Sequence, residues 1–161
     1  MKKKLLTVLG ASGLVGSSIL QEALVRGYHV NGTLRNIQNE DRIAKLKKLS
    51  PEKNANFFSA DMANVSSLDS PLMNADAAFI CCLVPTYKGF DGTNARELDD
   101  ERGYNEIIKP TVDGCLNILK TAQKNNVKNI LICSSTSSTN PIPSVSIKNE
   151  IDHWSDEQEQ C

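Results

Sequence analysis

Glycines 10, 13 and 16, set directly behind the apolar run Leu5–Leu9 and ahead of a helical pattern, are the residues best suited by type and spacing to chemistry. A strand that turns on glycine into a helix gathers unpaired N–H groups and the positive end of a helix dipole at one point, which suits a phosphate. In such a turn Gly10 permits the sharp change of direction and Gly13 lets a pyrophosphate approach the backbone. Gly16 lets the helix pack close to the strand. The spacing is Gly-x-x-Gly-x-x-Gly, and glycine triplets also occur in ordinary tight turns. The strand before and the helix after favour dinucleotide binding.

A second position bears on which dinucleotide. An NAD site ends its second strand in Asp or Glu, roughly 20 residues past the glycines, to hold the ribose 2′-hydroxyl. Here that place reads Gly32-Thr33-Leu34-Arg35-Asn36, and Arg42 follows in the next element. A guanidinium fork fits a phosphate, so Arg35 and Arg42 are expected to clamp the 2′-phosphate of NADP, which is favoured over NAD. The competing reading makes both solvated surface arginines.

These residues need a scaffold, and the chain supplies an alternation of strand and helix patterns. Strands are expected at Leu5–Leu9, Tyr28–Leu34, Asn56–Ala60, Ala77–Val84 and Val127–Ser134. Helices are expected at 14–26, 38–49, 65–72 and 110–125, with 85–103 as a long surface loop. Such alternation implies βαβ crossovers and a parallel sheet. The expected fold class is α/β, a Rossmann-type doubly wound sheet of order 3-2-1-4-5, with ligands at the carboxyl ends of strands 1 and 4.

Composition narrows the function classes. A length of 161 residues suits one domain, and a net charge of −1 with no basic stripe beyond Lys2–Lys4 speaks against nucleic acid as partner. The apolar run behind those lysines is too short for a signal-peptide core, and no segment reaches the roughly 20 residues of a membrane span. Cysteines 81, 82, 115, 133 and 161 form no Cys-x-x-Cys pair and have no histidines at metal spacing. Buried reduced thiols, no metal and a cytoplasmic location are the expectations.

Longer stretches add a resemblance. Val8–Gly16, Arg26-Gly-Tyr28 and Gly32-Thr-Leu-Arg35 resemble the start of the extended short-chain dehydrogenase/reductases, most of all the dihydroflavonol reductase and cinnamoyl-CoA reductase group. Ala60-Asp-Met62, the block Ile108-Lys-Pro-Thr-Val-Asp-Gly114 and Val127–Ser135 agree, as does His153-Trp-Ser-Asp156 with Cys161. The resemblance implies that Gly10, Ser12, Gly13, Leu14 and Val15 line the pyrophosphate and that Arg35 holds the 2′-phosphate. It implies that Asp61 and Met62 flank the adenine, although Asp61 also reads as a helix N-cap. Cys81, Cys82 and Leu83 would back the nicotinamide ribose. Ser135 matches the catalytic serine that hydrogen-bonds a substrate carbonyl, with Ser134 as the alternative, and Asn140 falls where the plant enzymes contact substrate.

The chain also departs from that pattern. The family's proton donor is a tyrosine in Tyr-x-x-x-Lys, two groups on one helix face, worth on the order of 10²–10⁴ in rate. Tyrosines occur here at 28, 87 and 104, followed four residues on by Gly32, Asp91 and Ile108. By family spacing the motif would begin beyond Cys161, so the expected fold is truncated before the catalytic helix. The expected division is a cofactor-binding domain over 1–135 and a loop segment over 136–161 leading to the substrate part. The missing helix would leave an apolar sheet face near strands 4 and 5 open to a partner or a second copy. The loop Thr86–Asn105 is longer than in the plant enzymes. The leading expectation is an NADP-dependent reductase of a small-molecule ketone or aldehyde, seen in its cofactor-binding part. The alternatives are a non-catalytic NADP-binding sensor or interaction module, and an epimerase or dehydratase.

Overall fold

The computed structural model describes residues 4–49, 54–82, 87–135, 138, 145–149 and 151–154. Five parallel strands form one sheet: β1 (Leu5–Leu9), β2 (His29–Leu34), β3 (Ala55–Ser59), β4 (Ala77–Ile80) and β5 (Asn129–Ile132). Their order is β3-β2-β1-β4-β5, as the alternation of patterns implied. β1 lies centrally, with Val8 opposite Gly32 of β2 on one side and Phe79 of β4 on the other. The chain therefore winds outward in two directions from β1, and the carboxyl ends of β1 and β4 part to leave a crevice.

Helices cover the two sheet faces unequally. On one side α1 (Leu14–Val25) and α2 (Glu40–Lys48) bring Leu20, Ala23, Ile43 and Leu46 onto Val8 and Val30. α2 has clear local causes. Asn39 caps it by accepting from the Arg42 N–H at 3.1 Å, Glu40 and Asp41 sit in its first turn, and lysines close its last. On the other side α3 (Asp69–Leu72) and α5 (Lys109–Lys124) bury Leu72, Ile118 and Ala122 against Leu9, Ala78 and Ile80. Polar strand residues under α3 are satisfied together. Buried Thr7 and Asn31 both donate to the Pro71 carbonyl, at 2.6 and 3.0 Å.

The α1 side of β4 and β5 has no helix over it among the described residues. Phe79 is only half-buried and Leu131 is 52% exposed. The sequence led to an expectation of an open apolar face near strands 4 and 5, and among the described residues the α1 side of both strands is uncovered.

The expected surface loop over 85–103 needs a further correction. Residues 95–97 make a 3₁₀ turn, and α4 (Asp100–Gly103) starts a helix that runs through a π turn at Tyr104–Ile108 into α5. Asp99 caps α4, accepting from the Arg102 N–H at 2.8 Å. Pro110 suggested a helix start because it lacks an N–H. The helix instead passes through Pro110 by way of the widened turn just before it, and begins ten residues earlier at Asp100. β4 and β5 are shorter at their carboxyl ends than expected. The ladder continues one bond further at each, through Cys81 N–H to Leu9 O and Cys133 N–H to Ile80 O, both 2.9 Å.

Candidate functional site

The glycine turn is held from two directions. Gly10 donates its N–H to Thr33 Oγ1 at 3.1 Å, and Ala11 donates to the Thr33 carbonyl at 2.8 Å, which ties the turn to the end of β2. Gly10 has φ +86°, and a Cβ there would lie 2.9 Å from Cys82 N and 3.0 Å from the Cys81 carbonyl group. Gly16 is equally constrained, since an added Cβ would collide with the Gly10 carbonyl. Both glycines are therefore demanded by protein packing. Gly13 differs: a Cβ there would meet only Gly10 O, at an ordinary 3.4 Å. The space before Gly13 is open, as an approaching ligand needs.

Gly13 is also the N-cap of α1, with no side chain capping the helix and no acidic residue in its first turn. The N–H groups and dipole of that end face outward, a setting that fits an anion. Leu14 and Val15 are exposed beside it.

Behind the turn lies a cleft of about 340 Å³. Gly10, Ser12 and Gly13 form one wall, Arg35 and Arg42 another, and Asp61, Met62, Cys81 and Cys82 close the rest. Nine of the residues singled out by sequence thus converge on one space. No carboxylate stands at the end of β2, where Arg35 instead presents a cation. Asp61 has a local task as well, its Oδ1 accepting from the Ala63 N–H at 2.9 Å in a tight turn. The expected alternative, a helix N-cap, falls to Asn64 at the next 3₁₀ turn. Met62 is buried against α5, where Gly114 leaves room for its side chain and Asn117 donates to its carbonyl at 3.0 Å.

The ends of β4 and β5 complete the picture. Burial pushes the Cys82 thiol up to about 11, so it stays protonated at neutral pH. Cys81, Cys82 and Cys115 are half-buried, but Cys133 is exposed, against the expectation of buried thiols. It follows β5, over whose α1 face no helix lies among the described residues. Ser135 and Ser134 follow β5 and are exposed, and the Ser135 carbonyl accepts from Ser138 Oγ at 2.6 Å. Ser135 does not line the cleft behind the glycine turn. Leu83 and Asn140 lie outside the described residues.

Sequence reasoning passed over Thr33, whose hydroxyl anchors Gly10, and Gly114, which sets the distance from α5 to Met62. A polar residue near the end of an apolar strand was the available signal for Thr33. Gly114 carried none, because only the facing side chain explains it.

A doubly wound parallel sheet with a glycine turn at its crossover point defines a dinucleotide-binding α/β protein. The NAD(P)H-binding family model matches residues 10–160, and the chain belongs to that family, within the extended short-chain dehydrogenase/reductases. Anthocyanidin reductase of Arabidopsis thaliana is 28% identical over 152 residues, which cover 92% of this chain and 42% of that protein. A bifunctional dihydroflavonol 4-reductase/flavanone 4-reductase of Pyrus communis is 32% identical over 133 residues, covering 82% and 35%. The crystal structure of vestitone reductase from alfalfa (Medicago sativa L.) is similar with TM-score 0.67 and 26% identity, over 96% of this chain and 43% of that one. The chain spans about two fifths of the length of these relatives. Among the described residues no helix is long and apolar enough to cross a membrane.

Proposed function

We propose that this chain is the cofactor-binding part of an NADP-dependent reductase that converts a small-molecule ketone or aldehyde to an alcohol. The observation that carries the reading is the convergence of Gly13, Arg35, Arg42 and Asp61 on one cleft at the sheet crossover. Gly13 and the uncapped start of α1 receive the pyrophosphate, with Ser12, Leu14 and Val15 around it. Arg35 and Arg42 hold the 2′-phosphate, Asp61 and Met62 flank the adenine, and Cys81 to Leu83 back the nicotinamide ribose. Bound there, the reduced cofactor supplies a hydride to the carbonyl carbon. Ser135 donates a hydrogen bond to the carbonyl oxygen and orients it. No residue of this chain matches the family's tyrosine with a lysine four residues on, so the proton comes from outside these 161 residues. In this reading residues 1–135 form the cofactor-binding unit, 136–161 lead toward the substrate part, and the reaction runs in the cytosol.

That same missing pair favours a second reading, an NADP-binding module that carries no proton transfer. Both share one test, calorimetric titration of the chain with NADPH and NADH. Tighter binding of NADPH, lost on Arg35→Ala, supports the cleft assignment. Equal affinity for the two cofactors overturns it. Carbonyl reduction by the whole protein then separates the reductase from the module.

A further inference from the structure

β4 and β5 run parallel in register, with Phe79 opposite Leu131 and Ile80 opposite Ile132. One step further stand Cys81 and Cys133, and the Cys133 N–H bond to Ile80 O at 2.9 Å carries the ladder to that step. Side chains alternate along a strand, so Cys81 shares a face with Phe79 and Cys133 with Leu131, the α1 side. The two cysteines are therefore cross-strand neighbours on the same face. Neighbouring strands lie about 4.8 Å apart, inside the span of about 4.4–6.8 Å that disulfide-bonded Cα atoms adopt. Burial raises the Cys81 thiol first, and the neighbouring Cys133 raises it further. Among the described residues no third metal-ligating side chain joins them, so the pair has the makings of a disulfide rather than a metal site.

Cys81 is also where β4 touches the glycine turn. Its carbonyl group would lie 3.0 Å from a Cβ on Gly10, and it lines the cleft behind that turn. Any movement of Cys81 toward β5 alters the wall against which Gly10 packs.

We propose that Cys81 and Cys133 form a reversible disulfide that weakens NADPH binding, with a low-molecular-weight disulfide such as oxidised glutathione as the oxidant. The exposed Cys133 thiolate attacks one glutathione sulfur, forming a mixed disulfide and releasing one glutathione thiolate. Cys81 gives up its proton to solvent and attacks the Cys133 sulfur, releasing the second glutathione. The two protein thiols lose two electrons and glutathione disulfide gains them, leaving two glutathione molecules. The raised Cys81 thiol lowers its thiolate fraction and so slows the second step. By linkage, bound NADPH must oppose disulfide formation by the same factor. The effect on NADPH rests on the cofactor reading above, whereas the cross-link does not.

The test is to treat the 161-residue chain with oxidised glutathione, map its disulfides by peptide mass spectrometry, and titrate both redox forms with NADPH. The expected product is a monomer lighter by two hydrogens, with Cys81 joined to Cys133, and at a fixed ratio of reduced to oxidised glutathione less of it is present when NADPH is bound. Its dissociation constant for NADPH rises at least about fivefold, the lower end of ordinary coupling. Cys133→Ser abolishes the oxidant's effect, and Cys115→Ser leaves the cross-link intact. A link through Cys82, Cys115 or Cys161 instead, or equal NADPH affinity of the two forms, overturns the proposal. If the reduced chain binds no NADPH while the cross-link forms, the cofactor reading fails and the pairing of the thiols stands.

Discussion

Three glycines spaced alike do different physical work. Gly10 sits at φ +86° against the backbone of Cys81 and Cys82, so Gly10→Ala both strains the turn and forces a shift in β4. The expected cost is about 1–3 kcal/mol of stability, read by urea denaturation. Gly13 has φ −80° and ψ 169°, which any residue adopts, and its Cβ would make only an ordinary contact. Gly13→Ala is therefore expected to fold within about 0.5 kcal/mol of the natural chain while losing NADPH affinity. A marked loss of stability in Gly13→Ala would show that protein packing, not ligand space, selects glycine there. At Arg35 the expected loss on Arg35→Ala is on the order of tenfold for NADPH with NADH unchanged, since the guanidinium–phosphate bond is charge-assisted.

Secondary elements carry the next set of consequences. The segment after β4 is fastened to α4 by Arg102, which meets Asp91 at 3.0 Å and Glu106 at 2.7 Å. Glu106 in turn accepts the Phe90 N–H at 2.7 Å. Asp91 is held down to about 2, first by the Thr93 backbone and side chain and then by Arg102, and Arg102 lowers Glu106. Both carboxylates are depressed in the folded chain. Their contribution is complete above the ordinary carboxylate range near pH 4 and is lost as pH falls toward 2. Amide exchange at Phe90 and Thr93 is expected to quicken over that window relative to β1 amides, and parallel behaviour of the two regions would refute the fastening. Asp99→Ala removes the α4 cap and is expected to cost about 1 kcal/mol, measured by thermal unfolding. That capping signal was present in Asp99-Asp100-Glu101, but the proline at 110 drew the helix start away from it.

Across the whole molecule, the cleft draws its walls from the ends of β1 and β2 and from the segments that follow β1, β2, β3 and β4, so a ligand there joins both halves of the sheet. NADPH at a hundred times its dissociation constant is expected to stabilise the fold by about 2.7 kcal/mol, a rise of roughly 5–10 °C in Tm for a chain of this size. No shift in Tm at saturating NADPH would remove the cleft from consideration as a cofactor site. The order of the strands was legible because each periodic segment has a local cause: an apolar run, a cap, a stop at glycine. The convergence of Gly10, Arg35, Asp61 and Cys81 was legible only through the glycine turn and the family resemblance, since residues so far apart share no local pattern. By itself the sequence determined the alternation of strand and helix, the parallel sheet and the glycine turn, because those depend on neighbours a few positions away. The tertiary structure alone decided that Thr33 anchors Gly10 and that Gly13 faces open space. It alone decided that Cys133 is exposed beside Cys81 and that Gly114 makes room for Met62. Each of these depends on what the fold brings up from a distant part of the chain, and no local periodicity encodes that.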